Sequence, residues 1–186
     1  MKVEALLYKY FHNNEQGLRI VLEHSRLVAT KALTVARSLS LPTEEISFIE
    51  EAALLHDIGV CRVSAPDIGC HGELPYICHG VMGADILNHE GLPRHALVCE
   101  RHIGVGLTIE DIRRQGLPLP ERPMVPESRE ERIVAFADLF FSKRPDSPTH
   151  ERTVPEVRAA LQRFGGEKVA IFDTWLAEFT ATHFSL

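Results

Sequence analysis

The chain has 186 residues, 45 % of them apolar, which suits one domain with a sizeable core and excludes disordered and fibrous classes. Lysine and arginine total 20 against 26 aspartate and glutamate, a formal charge of −6 with no basic block, so a nucleic-acid polymer is not the expected partner. No run of about 18 apolar residues occurs, the N-terminus lacks a signal-peptide layout, and four cysteines without CxxC spacing point to a reducing, cytoplasmic setting away from membranes.

Apolar residues recur at three- and four-residue steps and no stretch alternates like a half-buried strand, so an all-α bundle of about six or seven helices is expected. The core of this single domain, 1–186, is expected over about 18–144 and its last two helices over about 153–182. A first helix runs over about 18–39 with Val21, His24, Val28, Ala32, Val35 and Leu39 on one stripe, and Leu41-Pro42 close it. Thr43 is expected to cap the next helix, which carries His56 and Asp57 in its last turn and exits at Gly59. A loop over 60–75 precedes a helix over about 77–90, and Pro93 starts another that reaches His102.

Thr108 with Asp111 forms a capping-box pattern for a short helix, and Ser128 with Glu131 forms a second one before the apolar run RIVAFADLFF. Between them, prolines 118, 120, 123 and 126 require an extended segment that either covers a pocket or joins two copies of the chain in a homodimer. Two helices, from about Val154 and about Gly166, complete the body.

Asp138 is the most telling residue, because Ile133, Val134, Ala135, Phe136, Ala137, Leu139, Phe140 and Phe141 make its helix apolar on every side. A carboxylate buried there needs a cation, either a basic side chain or a metal, since unpaired burial costs several kcal/mol. His24 taken alone reads as a hydrogen-bonded core histidine. His56 and Asp57 are neighbours that diverge by about 100° on a helix, so both reach one ion only near the helix end, and a two-metal site suits that divergence better. His79 and His102 sit beside apolar positions on further helices, so four histidines and two aspartates from five helices offer a ligand set for hard or borderline divalent cations.

In this order the residues resemble the HD-domain metal-dependent phosphohydrolases: His24, the doublet His56-Asp57 within LLHDIG, and Asp138 within FADLF. His79 in CHGVMGADIL and His102 in ERHIGVG resemble the extra pair of the binuclear subgroup, whose members include bacterial diadenosine-tetraphosphate hydrolases and cyclic-di-GMP phosphodiesterases. The resemblance implies an HD-type helical fold, six ligands around two divalent transition-metal ions (Fe, Mn, Ni, Co or Zn, with Mg tolerated), and the Asp57 carboxylate bridging them. One departure stands out: where many members carry a lysine soon after the doublet, this chain has Val60, and Arg62 is the candidate replacement. No GYP motif follows His102, which argues against cyclic-di-GMP.

The expected activity is hydrolysis of a phosphoester or phosphoanhydride in a nucleotide or other small phosphorylated metabolite. Two metals would lower the pKa of a shared hydroxide that Asp57, the catalytic candidate, holds and orients. Lys31, Arg62, His71, Lys143 and Arg144 are the candidates for binding the anionic substrate. Two other classes stay open: a di-iron oxygenase on the same scaffold, since similar HD-fold inositol and phosphonate oxygenases use the same six ligands, and a non-catalytic nucleotide-binding module. Cys61, Cys70, His71 and Cys78 offer zinc-type ligands at no standard spacing, whereas Cys78 and Cys99 read as small apolar side chains.

Overall fold

Residues 3–143 and 150–181 are described in a computed structural model, and the element order among them is helical almost throughout. The chain enters through α1 (Glu4–Tyr10), a short helix that the sequence periodicity did not reveal, with Leu6 and Leu7 buried. The Asn14 side chain then accepts from Gly17 N and opens α2 (Glu15–Ser38), whose buried stripe holds Val21, His24, Val28, Ala32 and Val35 as expected. Ser40, at φ 54, turns the chain into α3 (Thr43–Leu55). Thr43 is the first helical residue rather than its cap: Pro42 precedes it in extended conformation, and no side chain caps the end.

α3 ends at Leu55, so His56 and Asp57 lie just past its last turn, and a 3-10 turn (Ile58–Arg62) follows. Gly59 is no helix exit: a Cβ there would stand 2.0 Å from the His79 carbonyl oxygen, so glycine allows this turn to lie against the next helix. The expected loop contains a small ribbon, β1 (Ser64–Ala65) antiparallel to β2 (Cys70–His71), with Ser64 opposite His71. A 3-10 turn (Tyr76–Cys78) leads into α4 (His79–His89), which packs closely with α5 (Pro93–Arg101).

α6 (Ile109–Gln115) carries the full Thr108–Asp111 capping box. The proline-rich segment after it is irregular, and Leu119 and Met124 anchor it on Val63, Cys78 and Ile112. In front of α7 (Arg129–Asp138), Ser128 Oγ accepts from Glu131 N, but the Glu131 carboxylate turns to Glu127 N and Arg101, so only half of the expected box forms. α8 (Val154–Gln162) and α9 (Gly166–Thr180) start where expected.

Nine helices among the described residues exceed the expected six or seven, and the bundle is all-α apart from the ribbon. α2, α3, α7 and α9 bury one apolar cluster, in which the Phe136 ring stacks on Phe172 at 5.6 Å and meets Phe140 and Phe179 edge-on at 5.2 Å. A second cluster joins α1, α2, α4 and the turn after α3 through Leu7, Phe11, Val21, Leu55, Ile58 and Leu87. Among the described residues no helix is long and apolar enough to cross a membrane.

Candidate metal centre

Five helix ends and faces bring six polar side chains into the space between these clusters: His24 from mid-α2, His56 and Asp57 after α3, His79 at the start of α4, His102 after α5, and Asp138 ending α7. Asp57 adopts φ −106 and ψ 11, outside the helical region, and this turn aims two adjacent side chains at one point. His56 Nε2 and Asp57 Oδ2 lie 3.1 Å apart.

The atoms gather around the two oxygens of the Asp57 carboxylate, with His56, Asp57 and His102 also offering ligand atoms within 4.8 Å of one another. On the Oδ2 side, His24 Nε2 is 2.9 Å from Asp138 Oδ1, 3.2 Å from Asp57 Oδ2 and 3.3 Å from His56 Nε2. On the Oδ1 side, His79 Nε2 is 3.4 Å and His102 Nε2 is 3.7 Å from Asp57 Oδ1, and the two nitrogens are 3.1 Å apart. Ligand atoms about 2.1 Å from one ion stand about 3.0 to 3.4 Å from their neighbours in octahedral or tetrahedral coordination, so the spacing is that of donors arranged to share a cation.

Proton placement strengthens the fit. His56, His79 and His102 each point Nδ1 at the carbonyl three residues back, Ala53, Tyr76 and Cys99, at 2.7 Å. An Nδ1 facing a carbonyl oxygen must carry the proton, which in a neutral ring leaves Nε2 with an inward lone pair, the arrangement by which metal-binding histidines are oriented. Neutral His79 and His102 therefore face each other lone pair to lone pair at 3.1 Å, and only a cation or an added proton relieves the repulsion. Burial disfavours the proton: it holds His79 below its usual value and, aided by the charges of His56 and His79, pushes His102 down to about 3. Asp57 Oδ1, fully buried, accepts no hydrogen bond among the described residues.

On the other side, burial opposes the His56 charge, but Asp57 and Asp138 outweigh it and raise the imidazole to about 10. Burial likewise works against both carboxylates, and their cationic and hydrogen-bonding neighbours nevertheless hold them well below the usual range. Asp138 is less enclosed than its apolar helix suggested: its side chain is 18 % exposed, and it pairs with His24 and His56 rather than with an arginine. His24 lacks a backbone anchor, and its Nδ1 is buried without a partner among the described residues.

The remaining candidates separate. Lys143 joins the centre: its ammonium stands 2.6 Å from Asp57 Oδ2, and that carboxylate holds it charged against the cost of burial. Arg62 does not; it is exposed beside Tyr10, Asp85 and His89, because the 3-10 turn that frees Asp57 carries it round to the far side of α4. His71 is exposed on β2, and Lys31 pairs with Glu151 at 2.6 Å with its ammonium over the Phe140 ring, away from the six side chains. Arg144 lies outside the described residues. Cys61, Cys70, His71 and Cys78 form no ligand group among the described residues: Cys70 and His71 alternate across their strand, and Cys78 Sγ faces the Pro118 carbonyl.

Tyr76 carries no sequence mark of a role at the centre, yet its ring tilts over His79 at 4.6 Å, and it lines an open depression with Lys143 and 64–68. Only its place three residues before His79 could have marked it. A largely apolar cavity of about 240 Å3 lies on another side, bounded by Ile103 and Leu139, which follow His102 and Asp138 directly, and by Ala160, Phe164 and Arg152. Leu117 brings the proline-rich segment to this cavity.

Comparison with known proteins places these residues in context. Residues 21–141 match the model of the HD domain family. An uncharacterised protein of Methanocaldococcus jannaschii is 38 % identical over 129 residues, 67 % of this chain and 69 % of that protein. A tRNA (cytidine(56)-2'-O)-methyltransferase of Thermoplasma volcanium is 36 % identical over 138 residues; the match covers 74 % of this chain but only 35 % of that enzyme. The HD domain of the L. monocytogenes phosphodiesterase PgpH, solved in complex with cyclic-di-AMP, superposes with a TM-score of 0.52 at 16 % identity, covering 97 % of this chain and 98 % of that one.

Proposed function

Since the chain belongs to the HD domain family, we propose that it is a metal-dependent phosphohydrolase with a two-metal centre, acting on a nucleotide or other small phosphorylated metabolite. The observation that carries the reading is the two pairs of imidazole groups, His24 with His56 and His79 with His102, whose Nε2 atoms face inward around one buried carboxylate. His24, His56, Asp138 and Asp57 Oδ2 would hold one ion, and His79, His102 and Asp57 Oδ1 the other, Fe, Mn, Ni, Co, Zn or Mg. Bound there, the ions would supply Lewis acidity toward phosphoryl oxygens and an acidified water as nucleophile.

The chain's own groups do the rest. Asp57, held from both sides, keeps the two halves of the centre in register and orients the nucleophile. The Nδ1 anchors of His56, His79 and His102 fix three rings before substrate arrives, so little reorganisation accompanies the reaction. Lys143 at the mouth offers an ammonium to a phosphate, taking the part that Arg62 was expected to play. The apolar cavity beside Ile103 and Leu139 is large enough for a base or similar group carried by that phosphate, which favours a small molecule over a polymer.

The PgpH complex supports a nucleotide-like ligand by fold likeness only. Methyl transfer is left with the relatives so named, because the chain spans about a third of the T. volcanium enzyme. Four free cysteines suit the cytoplasm.

The deciding experiment is metal content of protein purified without added metal or oxygen, wild type against His79→Ala and His102→Ala, followed by turnover on a phosphate-ester panel. Two ions per chain, falling in both variants, with ester cleavage, is the expected result. One ion, unchanged in the variants, would assign His79 and His102 to substrate instead. Mixed-valent iron with oxygen uptake and no ester cleavage would move the protein to the oxygenases.

A further inference from the structure

Lys143 follows α7 by five residues, and the buried Phe140 and Phe141 pin the intervening segment to the core. Its side chain, 13 % exposed, reaches back over the centre to Asp57 Oδ2 at 2.6 Å. This is the same oxygen that lies 3.1 Å from His56 Nε2 and 3.2 Å from His24 Nε2. Among the described residues no other lysine or arginine pairs with Asp57 or Asp138.

We infer that Lys143 is a displaceable counter-ion: it occupies the cation position on Asp57 Oδ2 when the centre is empty, and metal binding drives it into the adjoining depression as an anion-binding group. The inference rests on the two-metal reading and deepens it. A fully buried carboxylate beside a second one is strongly unfavourable without positive charge, and the ammonium adds to the His56 charge in the metal-free protein, on the Asp57 oxygen itself. An ion on the same oxygen would be close to Nζ, and like charges in a poorly solvated site repel strongly. The way out is open: the depression lined by 64–68 and Tyr76 already includes Lys143, and the Tyr76 ring centroid is 5.9 Å from Nζ. There the ammonium no longer neutralises Asp57 and is available to a phosphate. Metal occupancy and phosphate affinity are thereby coupled, and Lys143 acts first on the metal and then on the substrate.

The test compares wild type, Lys143→Met and Lys143→Arg, measuring Mn2+ affinity by calorimetry, melting with chelator and with excess Mn2+, and orthophosphate binding to the Mn2+-loaded protein. For Lys143→Met the expected outcome is Mn2+ binding at least about tenfold tighter, a lower melting temperature only with chelator, and orthophosphate binding at least about tenfold weaker, with Lys143→Arg restoring the phosphate site. Melting with excess Mn2+ separates these effects from misfolding. Wild-type Mn2+ affinity in a Lys143→Met protein that melts normally when loaded would overturn the inference and leave the metal centre standing. If wild type itself binds no divalent ion, both fall.

Discussion

The Tyr76 carbonyl accepts the His79 Nδ1 proton at 2.7 Å while the Tyr76 ring tilts over the same imidazole, centroids 4.6 Å apart. Backbone and side chain of one residue thus do different things: the carbonyl sets the tautomer of a candidate ligand, and the ring walls the depression beside Lys143. Tyr76→Ala keeps the carbonyl, so metal content should stay at the wild-type level. An aromatic contact contributes about 0.5–1.5 kcal/mol, so the KM for phosphate esters should rise by about two- to tenfold, and Tyr76→Phe should restore it. Metal analysis alongside steady-state kinetics checks both halves; loss of metal in Tyr76→Ala would contradict the division.

Acid and alkali should destabilise the metal-free protein for different reasons. His102, pushed down to about 3, takes up its proton in the unfolded chain near 6.5, so stability falls as pH drops below that value. The lowered carboxylates, Asp57 and Asp138, add a further loss as pH falls through and below their usual range. His56, raised to about 10, contributes stability that is complete below 6.5 and disappears as pH rises toward 10. Melting temperature with chelator should therefore peak near pH 6 to 7. Saturating metal should abolish the alkaline decline, because the ion replaces the His56 proton; melting curves from pH 4 to 10, with and without metal, provide the check.

Gly59 transmits packing to the centre. An alanine methyl there would stand 2.0 Å from the His79 carbonyl oxygen and 2.3 Å from Gly83 N, both backbone atoms that cannot swing aside. Gly59→Ala should cost about 1–3 kcal/mol, the range for overpacking, and weaken metal binding by shifting Asp57 against His79. Chemical denaturation and metal titration report the two effects. A variant as stable as wild type would show that α4 yields easily.

The apolar cavity makes a size-dependent expectation. Ala160→Trp places an indole in a space of about 240 Å3 without touching the six-residue centre. Cleavage of nucleoside phosphates should fall at least about tenfold in kcat/KM, whereas acetyl phosphate, which has no group to seat there, should be cleaved as by wild type. Equal losses on both substrates would remove the cavity from the substrate path.

The helices were legible in the sequence because they depend on local pattern, and the six residues that the family resemblance singled out are ones the structure brings together. Apolar spacing placed α2 and α7 through α9, and the capping box at Thr108–Asp111 formed as read, since caps satisfy backbone groups within one turn. α1 escaped notice because seven residues with two buried leucines give too little periodicity. Polar residues set into apolar runs marked His56, His79, His102 and Asp138, for burial of such groups demands a partner whatever the fold, whereas His24 alone read as a core histidine and joined them only through the ordered family resemblance.

Partnership across long separations was decided only by the tertiary structure. Arg62 is five residues from Asp57 and Lys143 is eighty-six residues away, yet Lys143 reaches the carboxylate and Arg62 does not. Chain proximity favoured the arginine, but the 3-10 turn at Ile58–Arg62 rotates it outward, while the Phe140–Phe141 anchor folds Lys143 back over the centre. Charged side chains without an apolar setting carry no local mark of direction, so their place follows from packing; buried ligands carry that mark in the residues around them.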